Sequence, residues 1–237
     1  MMKEQNEQNN VKSDNMKKVL KRFVQVILQV VLFAILLFVS SGQIAWLWAW
    51  IYLCTYVLII IINAFILPAD LIEERGKTKE NVKKWDKVIM TLNIFPALGI
   101  LVVAGLDYRF SWSPVISDWI NVSALILMLL GHALFSWSMI SNHFFSTAVR
   151  LQFDRSHQVA TSGPYKYVRH PGYVGFIILN LATPLILGSL WALIPGAILT
   201  VLFLIRTVLE DKTLRNELEG YKEYAQKVPY RLIPEIW

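Results

Sequence analysis

The stretch His157-Gln158-Val159-Ala160-Thr161-Ser162-Gly163-Pro164-Tyr165-Lys166-Tyr167-Val168-Arg169-His170-Pro171-Gly172-Tyr173-Val174-Gly175 lies between two apolar runs, and the rest of the chain is read from it. It packs two histidines, two prolines, three glycines, three tyrosines and two cationic side chains into one short segment. Pro171 disfavours helical backbone at His170, while its own fixed φ suits the first turn of a helix. The apolar run that follows is therefore expected to begin here. A helix N-terminus then faces the loop. Its free N–H groups, with Arg169 and His170 beside them, favour a carboxylate or phosphate.

Outside this segment the composition is that of a membrane protein. The chain has 237 residues, 55% hydrophobic and 17% charged, with nine tryptophans, and a soluble domain of that balance would leave too much apolar surface in water. The formal charge of +6 reads as the Lys and Arg excess of membrane loops rather than as a nucleic-acid surface. Cys54 is the single cysteine, so no internal disulfide forms, and no Cys or His spacing resembles a metal site.

Four apolar windows near 20–40, 44–67, 88–106 and 119–140 are long enough to cross a bilayer. Two shorter pieces follow the central loop, Tyr173 to Leu187 and Leu190 to Ile205, separated by Gly188 and Ser189. They read either as two tilted spans or as a helical hairpin that does not fully cross. The fold class expected is thus all-α, a polytopic transmembrane bundle of five to six membrane helices with a cytoplasmic pocket. With six crossings, every Lys and Arg except Arg109 falls on one side, Arg206 at its boundary. That asymmetry assigns this side, with both termini, to the cytoplasm of a bacterial cell membrane. Trp46, Trp48, Trp50, Trp112 and Trp119 gather at the other side as an interfacial belt. Residues 1–18 lack apolar periodicity and are expected to be a disordered cytoplasmic tail. Residues 19–140 hold the first four spans and a charged connector over 68–87. That connector contains Glu73, Glu74, Arg75, Lys77, Lys79, Lys83, Lys84 and Trp85, and reads as a solvated link or an interfacial helix.

The remaining region, 141–237, carries the chemistry. The pattern of a His, a Ser-Gly-x-Tyr turn and Arg-His-Pro-x-Tyr-x-Gly, followed after two apolar helices by an Arg and an acidic pair, resembles the isoprenylcysteine carboxyl methyltransferase family. These are membrane enzymes that use S-adenosylmethionine (SAM). The resemblance is good over 140–237 and generic before it. It implies cofactor contacts at His157, Gln158, Val159 and Ala160, at the turn tyrosine Tyr165, at His170, Pro171, Gly172 and Tyr173, and at the acid Glu210. It places on Arg206 the orientation of the acceptor group, which makes that side chain both the catalytic and the substrate-binding candidate. A further polar contact falls near Arg150 or Gln152, where the pattern departs from the family. Asp211 stands where the family usually has a second Glu.

These residue types suit the cofactor. SAM carries a sulfonium, an ammonium and a carboxylate, so it needs an acid for a cation or the ribose hydroxyls, and N–H groups with His170 for the anion. Tyr165 and Tyr173 offer aromatic faces to the adenine or the positive sulfur. Arg206 and Glu210, four apart on a helix, share a face, and Arg206 could equally snorkel and pair with Glu210. An acceptor that is already a carboxylate or thiolate needs no proton shuttle, whereas an amine would make His157 or Glu210 the proton acceptor. His132 in mid-span reads equally as functional or as a histidine bonded to backbone. Asn142 and His143 open the cytoplasmic loop and read as capping or interface residues rather than catalytic ones. Asn180 is expected to bond across helices or line a lipid groove. Tyr221, Tyr224, Pro229, Tyr230 and Pro234 form a tail that folds back as a lid or anchors at the membrane surface.

The function expected is methyl transfer to a lipid-borne or small apolar acceptor, with the bilayer as the other partner and no nucleic acid or metal. Phospholipid N-methylation and thiol S-methylation are the alternatives within the same chemistry. NADPH-dependent sterol-type reductases have a similar C-terminal segment but more spans before it. A non-enzymatic scaffold or transporter is the other class, and a transporter would show broken helices in two similar halves.

Overall fold

The computed structural model describes residues 24–68, 71 and 81–237. The expected tail over 1–18, the start of the first span, and Glu73, Glu74, Arg75, Lys77 and Lys79 lie outside the described residues. The described chain folds into helices α1 (Val24–Ser41), α2 (Leu47–Ile66), α3 (Lys84–Phe110), α4 (Asp118–Ile140), α5 (Pro171–Ile186), α6 (Leu193–Glu217) and α7 (Tyr221–Lys227). Two 3-10 turns, Phe153–Arg155 and Gly163–Lys166, lie in the central loop, and no strand occurs among the described residues. Helices α1 to α4 and α6 are long and apolar enough to cross a membrane. Their outward side chains, among them Leu28, Phe65, Phe95, Leu130 and Val201, are exposed apolar groups, as lipid-facing positions are in an integral membrane protein.

The last two helices are joined by a short turn. Helix α5 has 16 residues, about 24 Å at 1.5 Å per residue, which is less than the roughly 30 Å of a hydrocarbon core. It contains Pro184 near its end and turns back within Leu187–Ala192 into α6, which is long enough to cross. The turn is fastened from both sides. Asn121 Nδ2 donates to the Leu185 and Ile186 carbonyls at 3.0 Å each. Buried Asp107 accepts the Ser113 N–H at 2.7 Å, the Ser113 hydroxyl at 2.6 Å and the Ser189 hydroxyl. Helix α6 has 25 residues and runs well beyond its apolar part, carrying Arg206, Glu210 and Asp211 to the charged end.

Three expectations change. The connector ends earlier than 87, because Lys84, Trp85 and Lys87 already belong to α3. Trp46 is not a lipid-facing belt residue: it is buried and stacks on Tyr108 at 4.4 Å, whereas Trp50, Trp112 and Trp119 remain exposed. Asn180 bonds within its own helix rather than across to another, its Nδ2 donating to Phe176 O at 2.7 Å.

Helix α5 packs most extensively on α4, and two glycines let the backbones meet. A Cβ on Gly175 would lie 2.6 Å from the Gly131 carbonyl oxygen, and one on Gly131 would lie 3.1 Å from the Gly175 carbonyl. Small residues at such crossings allow close helix packing in membranes. Gly175→Val is therefore expected to force the helices apart at a cost of about 1–3 kcal/mol, read as a lower thermal unfolding midpoint in detergent. Gly99→Ala, whose methyl would meet only Pro195 Cβ at 3.5 Å, should leave that midpoint where it is.

Candidate active site

One cavity occupies the charged end of the bundle, with about 850 Å³ of atom-free space including its open mouth. His157, Gln158, Val159, Ala160, Tyr165, His170, Gly172, Tyr173 and Glu210 all line it. Pro171 does not line it but starts α5 directly behind, buried. Arg206 is also outside the lining, one helical turn before Glu210. Of the two open positions, Arg150 lines the cavity. Gln152 is fully buried as a brace, with Nε2 donating to Phe144 O at 2.6 Å and Oε1 accepting from Arg155 at 3.0 Å.

The central loop is shaped by its punctuation residues. Gly163 has φ +56°, and a Cβ there would come within 2.1 Å of Ser141 Oγ, so this left-handed position fits glycine alone. Pro164 then opens the short 3-10 turn that buries Tyr165. Tyr165 is held at both ends: its carbonyl accepts the Tyr224 hydroxyl at 2.8 Å, and Asn142 Nδ2 lies 3.3 Å from its own hydroxyl. Burial is the first cause that pushes the Tyr165 phenol above its ordinary range, so it stays neutral. Asn142 caps the Phe144 N–H at 2.9 Å, as expected, and in addition lines the cavity.

The anion expected near Arg169 and His170 is supplied by the protein itself. The Asp211 side chain is 1% exposed. Its Oδ1 accepts from Arg169 Nε at 2.7 Å and from the Tyr221 hydroxyl at 3.0 Å, and it lies 3.6 Å from His170 Nε2. Its Oδ2 accepts from Arg169 Nη2 at 3.2 Å, Arg215 Nε at 3.0 Å and Arg231 Nε at 3.1 Å. The chain beyond α7 folds back along the same segment. The Arg169 and His170 N–H groups donate to the Tyr230 and Arg231 carbonyls at 3.0 and 2.9 Å, and Arg169 Nη1 donates to Val228 O at 2.7 Å. Tyr221 and Tyr224 reach the cavity wall, packed with Leu151, Tyr165, Leu218, Ala225 and Val228.

Toward the membrane, the Tyr173 hydroxyl donates to Glu210, whose carboxylate borders the cavity. The His170 and Tyr173 rings stack at 5.7 Å. Arg206 does not pair with Glu210. Its Nε and Nη2 bind both oxygens of Asp86, at 2.8 and 3.2 Å, and Nη2 also donates to Thr147 O at 3.0 Å. The guanidinium lies 5.4 Å from the Tyr173 ring centroid and 5.7 Å from that of Phe203, within cation–π range.

His157 marks the other end. Its Nδ1 accepts the Gln152 N–H at 3.3 Å, which places the imidazole proton on Nε2. Burial first, then the charges of Arg150 and Arg155, push its pKa down to about 4. Between the unfolded value near 6.5 and about 4, the unfolded chain binds the extra proton, so this contribution to stability is complete above pH 6.5 and is lost as pH falls toward 4. The unfolding midpoint should therefore drop across that window, and less so in His157→Gln.

Residues 124–216 match the family model described as the isoprenylcysteine carboxyl methyltransferase family. This part of the chain is similar to that family. The matched segment contains the histidine, the tyrosine turn, the Arg-His-Pro sequence and the Arg206, Glu210 and Asp211 end of α6. A protein-S-isoprenylcysteine O-methyltransferase of Schizosaccharomyces pombe is 36% identical over 112 residues, 46% of this chain and 48% of that protein. The Homo sapiens enzyme of the same name is 31% identical over 119 residues, 47% of this chain and 40% of its own length. The chain thus spans about half the length of these relatives or less. A methanethiol S-methyltransferase from a Pseudomonas strain is 28% identical over 194 residues, covering 73% of both chains.

Sequence reasoning missed Asp86 and undervalued Asp211. Asp86 falls within the connector expected over 68–87, and its partner is 120 residues away. Asp211 had a visible neighbour in Arg215 at i+4, but its pairs with Arg169 and Arg231 are tertiary.

Proposed function

We propose that this protein is an integral membrane SAM-dependent methyltransferase that transfers a methyl group to a lipid-borne or small apolar acceptor. The observation that carries this reading is that Tyr165 and His170 of the central loop and Glu210 of α6 border one cavity. The donor set fits SAM. Glu210 offers a carboxylate for a cation or ribose hydroxyls, Arg150 and the Nε2–H of neutral His157 suit a carboxylate, and Tyr165, Tyr221 and Tyr224 surround space for an aromatic base. When bound, SAM supplies a methyl group on a positively charged sulfur.

The side chains then have separate tasks. Tyr173 holds the Glu210 carboxylate at the cavity wall by its hydroxyl. Arg206 orients the polar end of the acceptor beneath Tyr173, where Phe203, Phe176 and Ile100 form an apolar surround that limits water. By the positive-inside asymmetry, the cavity and both termini face the cytoplasm. Thiol S-methylation is the second reading, favoured by the relative that matches 73% of both chains and acts on methanethiol.

Binding of SAM, S-adenosylhomocysteine and NADPH to detergent-purified protein tests the class. Affinity for the two adenosyl compounds is expected, and binding of NADPH alone would replace the methyltransferase with a reductase. Labelled methyl transfer into a lipid extract, a short alkanethiol and a prenylcysteine analogue then identifies the acceptor.

A further inference from the structure

Helix α3 lies before the segment matched by the family, yet it reaches into the site through one side chain. Asp86 sits in the first turn of α3 and is fully buried. Its carboxylate grips Arg206 in a two-pronged pair at 2.8 and 3.2 Å. The same Oδ2 accepts the Val149 N–H at 2.7 Å, while the Val149 carbonyl accepts the Lys83 N–H at 3.1 Å. The start of α3 is thus stapled to the strip 147–150, whose Ala148, Val149 and Arg150 line the cavity.

This arrangement determines what Arg206 can offer. Nε and Nη2 are taken by Asp86 and Thr147, and the guanidinium plane is held near the Tyr173 and Phe203 rings. Nη1 is the one guanidinium nitrogen without a bond to any described residue. A bidentate carboxylate fixes both the position and the tilt of an arginine, which a single bond does not. A buried guanidinium beside lipid also needs a counter-ion to remain in place.

We propose that Asp86 is the positioning residue that holds Arg206 with its Nη1 arm free for the acceptor's polar group, so that α3 completes a site otherwise built from the C-terminal region. The inference rests on the methyltransferase reading. It is tested with full-length protein in detergent, using labelled SAM with two acceptor probes, a short alkanethiol and N-acetyl-S-farnesylcysteine, and measuring S-adenosylhomocysteine affinity alongside. Asp86→Asn is expected to lower kcat/KM for the probe that the parent methylates by about a hundredfold, the scale of a 1 Å misplacement, while S-adenosylhomocysteine affinity is unchanged. Asp86→Glu, which keeps the fork, should regain most of that loss and serves as the reading if the Asn variant does not fold. Because Asp86 acts through Arg206, adding Asp86→Asn to Arg206→Lys should cost nothing further. Full acceptor kinetics in Asp86→Asn, or a parallel loss of S-adenosylhomocysteine affinity and turnover, would overturn the inference alone. A parent protein that binds neither SAM nor S-adenosylhomocysteine and transfers no label to either probe or to a lipid extract would overturn the proposed function and this inference with it.

Discussion

Asp211→Ala is expected to destabilise the protein by about 3–5 kcal/mol and to abolish cofactor binding, because a buried pair that loses one partner leaves the other charge uncompensated. The stranded charge is Arg169, whose side chain is 1% exposed and would keep only the Val228 carbonyl. Arg215 and Arg231, with side chains 40% and 30% exposed, can turn to water instead. Set against the 5–15 kcal/mol typical of folded proteins, such a loss removes a large share of stability. Its structural effects should appear at the end of the chain, since Arg231 is one anchor of the returning segment and Tyr221 another. Thermal unfolding in detergent and trypsin cleavage after Lys227 and Arg231 read both effects. Asp211→Asn keeps the shape and removes the charge, so it should lose nearly as much. An Asn variant as stable as the parent would show that the centre works by packing rather than by charge.

Glu210→Gln has a different signature. The residue is half-buried and its carboxylate accepts from the Tyr173 hydroxyl, so the amide should be accommodated with little change in unfolding temperature. The negative charge facing the cavity is lost. A hydrogen bond to a charged group contributes about 1.5–3 kcal/mol, so affinity for S-adenosylhomocysteine is expected to weaken about 10- to 150-fold. Equilibrium binding by calorimetry or displacement of labelled cofactor measures this directly. Unchanged affinity would remove Glu210 from the cofactor site and leave it as a support for Tyr173.

The features legible in the sequence are local ones. An apolar run long enough to span a bilayer has few alternatives to helix, because its backbone N–H and C=O groups must be satisfied within the segment. Helices α1 to α4 are accordingly near their expected places. The start of α5 follows from proline at its first position, and the sharing of one face by Arg206 and Glu210 follows from the 3.6-residue period. Gly163 and Pro164 announce a turn for similar reasons. Trp46 shows the limit of that reasoning: position in the sequence placed it at an interface, whereas Tyr108 on another helix draws it inward.

Charge pairing was the least legible feature. Arg206 had an acid four residues away on its own helix, and a helical wheel therefore gives it Glu210. The bundle gives it Asp86, because α3 brings a carboxylate with both oxygens available while the Tyr173 hydroxyl occupies Glu210. The same holds for Arg169, expected at a helix N-terminus as a lure for a ligand anion and found bound to the internal anion Asp211.

The sequence by itself determined the membrane helices and the turn that opens α5, since each depends on hydropathy or backbone preference within a few residues, whereas the residues expected around the cavity came from the family resemblance. The tertiary structure alone decided which acid neutralises which arginine, and that the chain after α7 returns beneath His170. Those pairings join residues from 20 to 120 positions apart, and in a low-dielectric interior a buried cation takes whichever carboxylate the packing of the helices brings within bonding distance.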